Sequence, residues 1–148
     1  MNPLIEKFKV NNLLIKDYKY WVLSLRPIQL TLGSMILTLK RECSGLGDLK
    51  SEETMELATI FNEIESNVKQ FLRFNKINYL ALMMVDDQVH FHVLPRYATE
   101  REFCSFKFLD QAWPGPITEF GDGIHDDRLL ASLCKKLVLA LETVEEKF

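Results

Sequence analysis

The chain has three cysteines in 148 residues, and Cys43, Cys104 and Cys134 lie far apart with no C-x-x-C pair. An odd, scattered set supports neither a disulfide framework nor a zinc knuckle, so a reducing cytoplasm is the expected compartment. Positive charge is scarce too: 18 Lys+Arg against 21 Asp+Glu leave a formal net charge of −3. Nonspecific binding to a nucleic-acid polymer needs a basic surface that releases counterions, so such a partner is not expected. Long hydrophobic runs are missing. The longest, Ile77 to Val85, is interrupted by Asn78, and Met1 to Val10 carries Glu6, Lys7 and Lys9 among its apolar residues. Neither a membrane span nor secretion is expected. Repeats, low-complexity tracts and Ser/Gly linkers are absent, which predicts one domain over 1–148. Histidine is rare, with three in the whole chain.

What is present is ordinary for a globular domain, with 47% apolar and 26% charged residues, enough to build a core. Tyr18 to Leu25 is rich in aromatic and branched residues and ends at Arg26-Pro27, which predicts a strand. Gly33 opens a second run, Met35 to Leu39, predicting a neighbouring antiparallel strand. Ser51, followed by Glu52 and Glu53, has the signature of a helix start. Ala58, Phe61, Ile64, Val68, Phe71 and Leu72 then recur at spacings of three and four, predicting one amphipathic helix to about Phe74. A second helix is predicted over Asp126 to Glu146 on the stripe Leu129, Leu130, Leu133, Leu137, Leu141 and Val144. Asn78 to Val85 and Gln88 to Leu94, separated by Asp86-Asp87, predict a tight hairpin. Glu102 to Phe108 predicts a further strand, and Trp113-Pro-Gly-Pro116 a rigid loop.

Period-two alternation on the second hairpin strand turns Val89, Phe91 and Val93 toward a core. Gln88, His90, His92 and Leu94 then line the opposite face. Two imidazoles on one face can act as base, acid, nucleophile or metal ligand. A zinc site needs further ligands, and only His125, the scattered cysteines or carboxylates remain, none at metal-ligand spacing, so no metal is expected. His125, just before the last helix, is read as a cap or a solvated residue. Met83 and Met84 are divided between core and cleft by the same alternation. The cysteines are read as buried or inert thiols.

The run Gln88-Val-His-Phe-His-Val-Leu-Pro-Arg96 resembles the motif of the histidine-triad (HIT) family, and the resemblance extends over about Tyr18 to Tyr97. Residues from about 98 to 148 then form a C-terminal extension with its own helix. The resemblance implies an α+β fold with a five-stranded antiparallel sheet, a long amphipathic helix, a C-terminal helix and a symmetric homodimer. It also implies hydrolysis or transfer of a nucleoside monophosphate group from an ester, an amidate or an anhydride such as a dinucleoside polyphosphate. His90 is then the nucleophile that forms a nucleotidyl-histidine, His92 is the third triad member, and Gln88 stands in the first position. No cofactor is implied. Arg26 matches a ribose-contacting position, Arg96 follows the motif with donors suited to phosphate, and Gln29 is a further substrate-binding candidate. Ser34 stands where many members have a supporting histidine, and Trp113 is placed to stack on a base or cover a dimer seam. Glutamine can hydrogen-bond but cannot ionise, and Asp86-Asp87 is shorter than the family's phosphate-holding loop. The alternative is therefore a nucleotide-binding module on the same scaffold with little or no turnover.

Overall fold

A computed structural model of the chain describes residues 12–145, with side chains described to 142. The readings made above for Met1 to Val10, for Glu146 and for the Val144 side chain lie outside these. The central element is a five-stranded sheet in the order β1-β2-β3-β5-β4. Its strands are β1 (Leu14–Asp17), β2 (Trp21–Leu25), β3 (Met35–Leu39), β4 (Lys76–Leu80) and β5 (His90–Arg96), and each pairs antiparallel with its neighbours. The α+β class and the five-stranded antiparallel sheet follow the expectation. Strand β1 was not expected, and the strand predicted from Tyr18 begins only at Trp21.

Residues directly opposite in an antiparallel ladder share a face, so the register sorts the side chains. Trp21 lies opposite Leu39, Leu23 opposite Leu37, and Met35 opposite both Leu25 and Val93, all fully buried in the core. The other face carries Ser24 opposite Ile36, Ile36 opposite His92, and Thr38 opposite His90. The predicted division of β5 holds: Phe91 and Val93 turn to the core, while His90 and His92 turn away from it.

The core face is covered by α1 (Ser51–Glu63), a π-helical turn (Ile64–Val68) and α2 (Lys69–Leu72), which presents Leu57, Ile60, Ile64, Val68 and Leu72. The buried stripe is set one residue back from the predicted one at its start, since Leu57 and Ile60 are inside while Ala58 is exposed. Ile60, Ile64, Val68 and Leu72 are spaced by four, and in a regular α-helix each such step overshoots a full turn by about 40°. The wider π turn absorbs that drift and keeps the row facing the sheet. Ser51 is the first helical residue, and Lys50 precedes it as the cap. The Lys50 N–H donates to the Glu53 carboxylate at 2.8 Å. Arg73, in the left-handed region at φ 57, ends the segment.

Helix α3 (Asp127–Glu145) buries Leu129, Leu133, Leu137 and Leu141 and packs against β1 and the π turn. Asp126 caps it, its carboxylate accepting from the Leu129 N–H at 2.9 Å. The strand predicted over Glu102 to Phe108 is instead a small hairpin, β6 (Arg101–Phe103) and β7 (Phe106–Phe108), turning at Cys104 and Ser105 with φ 50 and 68. Positive φ at both central residues matches the twist that a tight hairpin needs.

The predicted hairpin forms, with β4 and β5 paired antiparallel, but not through a two-residue turn at Asp86-Asp87. β4 ends at Leu80, β5 starts at His90, and the chain between them leaves the sheet. Two aspartates lack the left-handed preference of Asn-Gly or Asp-Gly, so the sequence cannot close strands that tightly.

Candidate active site

His90 and His92 lie on β5, flanked on both sides by paired strands, and are 4% and 8% exposed. Their rings meet edge to face with centroids 5.1 Å apart. His90 Nδ1 lies 2.6 Å from the carbonyl oxygen of Gln88. A carbonyl only accepts, so Nδ1 donates, and in the neutral imidazole the lone pair lies on Nε2. This is the acceptor that a nucleophilic imidazole needs, and it comes from the backbone.

Both histidines line a cavity of about 580 Å³ together with Arg26, Phe120 and His125. Phe120 packs on His92 with ring centroids 4.9 Å apart. The Arg26 guanidinium lies 5.9 Å from the Phe120 ring centre and donates to the Phe120 and Ile28 carbonyls at 3.4 and 3.3 Å. Burial pushes the Arg26 pKa down to about 10, which still leaves the side chain cationic at neutral pH. Leu82, Met83, Met84 and Val85 also line the cavity. Met83 and Met84 are thus both in the loop, and neither is in the core.

His125 was read as a cap or a solvated residue, and capping falls to Asp126 instead. His125 is half-exposed and lines the cavity. Two anchors hold it there. Residue 124 pairs with Gln29, with N–H to O distances of 2.8 and 3.0 Å in the two directions, and Asp126 is fixed as the helix cap. Gly123 makes the approach possible, since a Cβ there would sit 2.4 Å from the Gln29 carbonyl oxygen.

The remaining candidates lie outside the cavity. The Gln88 side chain is not on the histidine face: its amide donates to the Leu39 and Arg41 carbonyls at 2.7 Å each and accepts from the Cys43 N–H at 3.1 Å. Gln29 is spent on the β2 to β3 connection, donating to the Arg26 and Ser34 carbonyls at 2.9 Å and accepting from the Gly33 and Ser34 N–H groups. Ser34 closes the same connection, its hydroxyl donating to the Thr31 carbonyl at 2.8 Å. Both residues shape the loop that presents Arg26. Arg96 forms a two-point ion pair with Asp110 at 2.7 and 3.0 Å and also donates to the Gly115 carbonyl at 2.7 Å. Trp113 belongs to that cluster, its N–H donating to the Asp110 carbonyl at 3.1 Å.

Cys134 is buried, and burial pushes its thiol pKa up, while Cys104 is exposed at the β6 to β7 turn. No group of three or more His, Cys, Asp or Glu among the described residues comes together to hold a metal, and no helix among them is long and apolar enough to cross a membrane.

No sequence-family model and no curated sequence matches this chain. Solved structures do. A histidine triad protein from Marinobacter aquaeolei superimposes with a TM-score of 0.76 at 21% identity, covering 97% of this chain and 98% of that one. A histidine triad protein from Sinorhizobium meliloti gives 0.72 at 19% identity, over 97% and 94%. The diadenosine triphosphate hydrolase of Plasmodium falciparum gives 0.61 at 15% identity, over 93% and 79%. The chain has the histidine-triad fold. Within that fold, His90 and His92 stand together on a buried strand face, and the third imidazole of the cavity comes from the loop before α3 rather than from position 88. Sequence reasoning missed the cavity roles of His125 and Phe120 because they reach it from distant loops, and it gave the cleft only one of Met83 and Met84 where both line it. The one local signal was Gly123 and Asp126 bracketing His125.

Proposed function

We propose that this protein is a hydrolase or transferase acting at the α-phosphate of a nucleoside monophosphate ester, anhydride or amidate through a nucleotidyl-histidine on His90. The observation that carries this reading is the 2.6 Å contact from His90 Nδ1 to the Gln88 carbonyl, which fixes Nδ1 as the donor and makes Nε2 the nitrogen available to attack, on a residue that lines the cavity. The fold shared with a diadenosine triphosphate hydrolase supports the substrate class.

In the first step the Nε2 lone pair forms a bond to phosphorus while the bond to the leaving group breaks, and the leaving group takes that electron pair. Positive charge develops on the ring, where the Gln88 carbonyl stabilises it through Nδ1–H. Arg26 offers its guanidinium to the phosphate, and His92 orders the ring of His90 and donates to a phosphate oxygen. His125 supplies the proton that the leaving group needs, as an imidazole can near neutrality. In the second step a water or acceptor oxygen attacks phosphorus, its proton passes to His125, and the phosphorus–nitrogen pair returns to Nε2. The steps use no metal, so turnover persists in a chelator. The free thiols of Cys43, Cys104 and Cys134 fit a reducing cytoplasm, and the fold supports a symmetric homodimer, which a monomeric mass in light scattering at micromolar concentration contradicts.

The test is intact-protein mass spectrometry after mixing with adenosine phosphoramidates and dinucleoside polyphosphates. An acid-labile nucleotidyl adduct, absent from His90→Ala, is expected. A second reading, a nucleotide-binding module without turnover, draws on Gln88, whose side chain is committed to the 39–43 backbone. Micromolar nucleotide affinity by calorimetry, with neither adduct nor product, establishes that reading instead.

A further inference from the structure

A second cavity, of about 440 Å³, has no part in the steps above. Segments 26–30 and 117–125 line both cavities, yet no residue lines both. Arg26, Phe120 and His125 belong to the histidine cavity, whereas Gln29, Glu119 and Asp122 belong to the second, to which β7 and the residue after it contribute Lys107 and Leu109. The polar groups of this wall are of two kinds. Gln29 and Asp110 are spent, the amide on its own loop and the carboxylate on Arg96 and the Tyr97 N–H. Lys107, Glu119 and Asp122 are not, since none of them has an ion pair or a side-chain hydrogen bond among the described residues.

Two carboxylates and one ammonium therefore line one concave surface without partners, beside apolar area from Leu109, which is 61% exposed, and from Ile117. A cavity of roughly 300–1,000 Å³ with apolar lining and a few convergent polar groups is the usual form of a small-molecule site. The charges decide which molecule. An anion meets two carboxylates, and a neutral apolar molecule strips water from three charges and returns nothing. A bare metal ion would share the space with an ammonium, and no group of three metal-ligating side chains gathers among the described residues. A diamine satisfies the carboxylates and leaves Lys107 unmatched, while a neutral amino acid leaves one carboxylate unmatched. Two cationic groups and one carboxylate on an aliphatic stem meet all of them.

We propose that this cavity binds a free basic amino acid, with its two cationic groups on Glu119 and Asp122, its carboxylate on Lys107 and its stem over Leu109 and Ile117. The site does not depend on the reaction at His90.

The test is calorimetric titration of the whole protein with L-arginine, L-lysine, L-leucine, L-glutamate and 1,4-diaminobutane. Pairs between exposed charges are individually weak, so L-arginine and L-lysine are expected to bind with a Kd of about 1 mM that rises with added salt. L-leucine and the diamine should each bind about two- to fivefold more weakly, because each leaves one charge of the wall unmatched. L-glutamate should give no saturable heat. Lys107, Glu119 and Asp122 are all exposed, so substituting them spares the core. Lys107→Gln should weaken L-arginine by about two- to fivefold and leave the diamine unchanged. Glu119→Gln combined with Asp122→Asn should remove the preference for L-arginine over L-leucine. Glu142→Gln, at an exposed carboxylate of α3, should keep wild-type binding. No saturable heat with L-arginine, or equal affinity for L-arginine and L-leucine in the wild type, overturns the inference. L-arginine binding unchanged in the double variant places the amino acid elsewhere and overturns it as well.

Discussion

His90 Nδ1 and the Gln88 carbonyl oxygen are 2.6 Å apart, and the acceptor in that pair is main chain. The side chain at position 88 can therefore change without removing it. Its own amide instead ties the start of β5 to the Leu39 to Cys43 segment. Gln88→Ala is expected to cost about 1–3 kcal/mol of stability, from the backbone groups it strands, while kcat falls by less than about tenfold. Gln88→His, which restores the residue type of the fold's namesake motif, is not expected to raise turnover, because that side chain points at the 39–43 backbone. Urea unfolding and steady-state kinetics on the two variants check both statements.

His125 is expected to matter in proportion to how much its proton is needed. For an alkoxide or amine leaving group, His125→Ala should lower kcat by roughly 100-fold. For a nitrophenolate, which departs without protonation, the loss should be much smaller. Equal losses on both substrates would show that His125 only positions the substrate.

The Arg96 and Asp110 side chains are 4% and 2% exposed and form a two-point ion pair. Asp110→Asn leaves a buried guanidinium short of its counter-charge and should destabilise the fold by about 3–5 kcal/mol. Activity per folded molecule should hold, since neither residue lines the histidine cavity. A loss of kcat at full folded fraction would bring Arg96 back into the site.

Glu53 accepts from Arg41 at 2.9 and 3.0 Å and from the Lys50 N–H at 2.8 Å. Hydrogen bonding to Arg41 first, and to the helix start next, holds its carboxyl below the ordinary value of 4.5. The folded pKa is the lower one, so this stabilisation is complete above the ordinary value and is lost as pH falls through the folded value. The gap in Tm between wild type and Glu53→Gln should be full at neutral pH and should narrow as pH falls below the ordinary carboxyl value. A gap that does not change with pH contradicts it.

What could be read from the sequence was what is local. Ile64, Val68, Leu133 and Leu137 announce their helices by period, and His90 and His92 share a face because strand geometry leaves no other choice. β1 was missed because Leu14-Ile-Lys-Asp17 is too short and polar to read as a strand, and it is stabilised by pairing with β2 and packing under α3. Arg96, Gln29 and Ser34 looked like ligands because arginine, glutamine and serine suit phosphate and loops equally. Arg96 finds its partner Asp110 through the tertiary path, whereas Gln29 and Ser34 are taken up by their own loop, bonding the Arg26 and Thr31 carbonyls three residues away. His125 and Phe120 could not be placed, because what brings them to β5 is a single backbone pairing between residues distant in sequence.

That pairing, Gln29 with Ile124, has a mechanical consequence. Arg26 hangs from the loop on one side of the rung, and Phe120 and His125 hang from the loop on the other. The guanidinium, the aromatic ring and the imidazole proposed as proton donor are therefore assembled or dismantled together, as one cooperative unit of local unfolding. Exchange of the Gln29 and Ile124 amide hydrogens reads out that unit directly, and any substitution that slackens the rung degrades all three functions at once while β5 keeps its histidines in place.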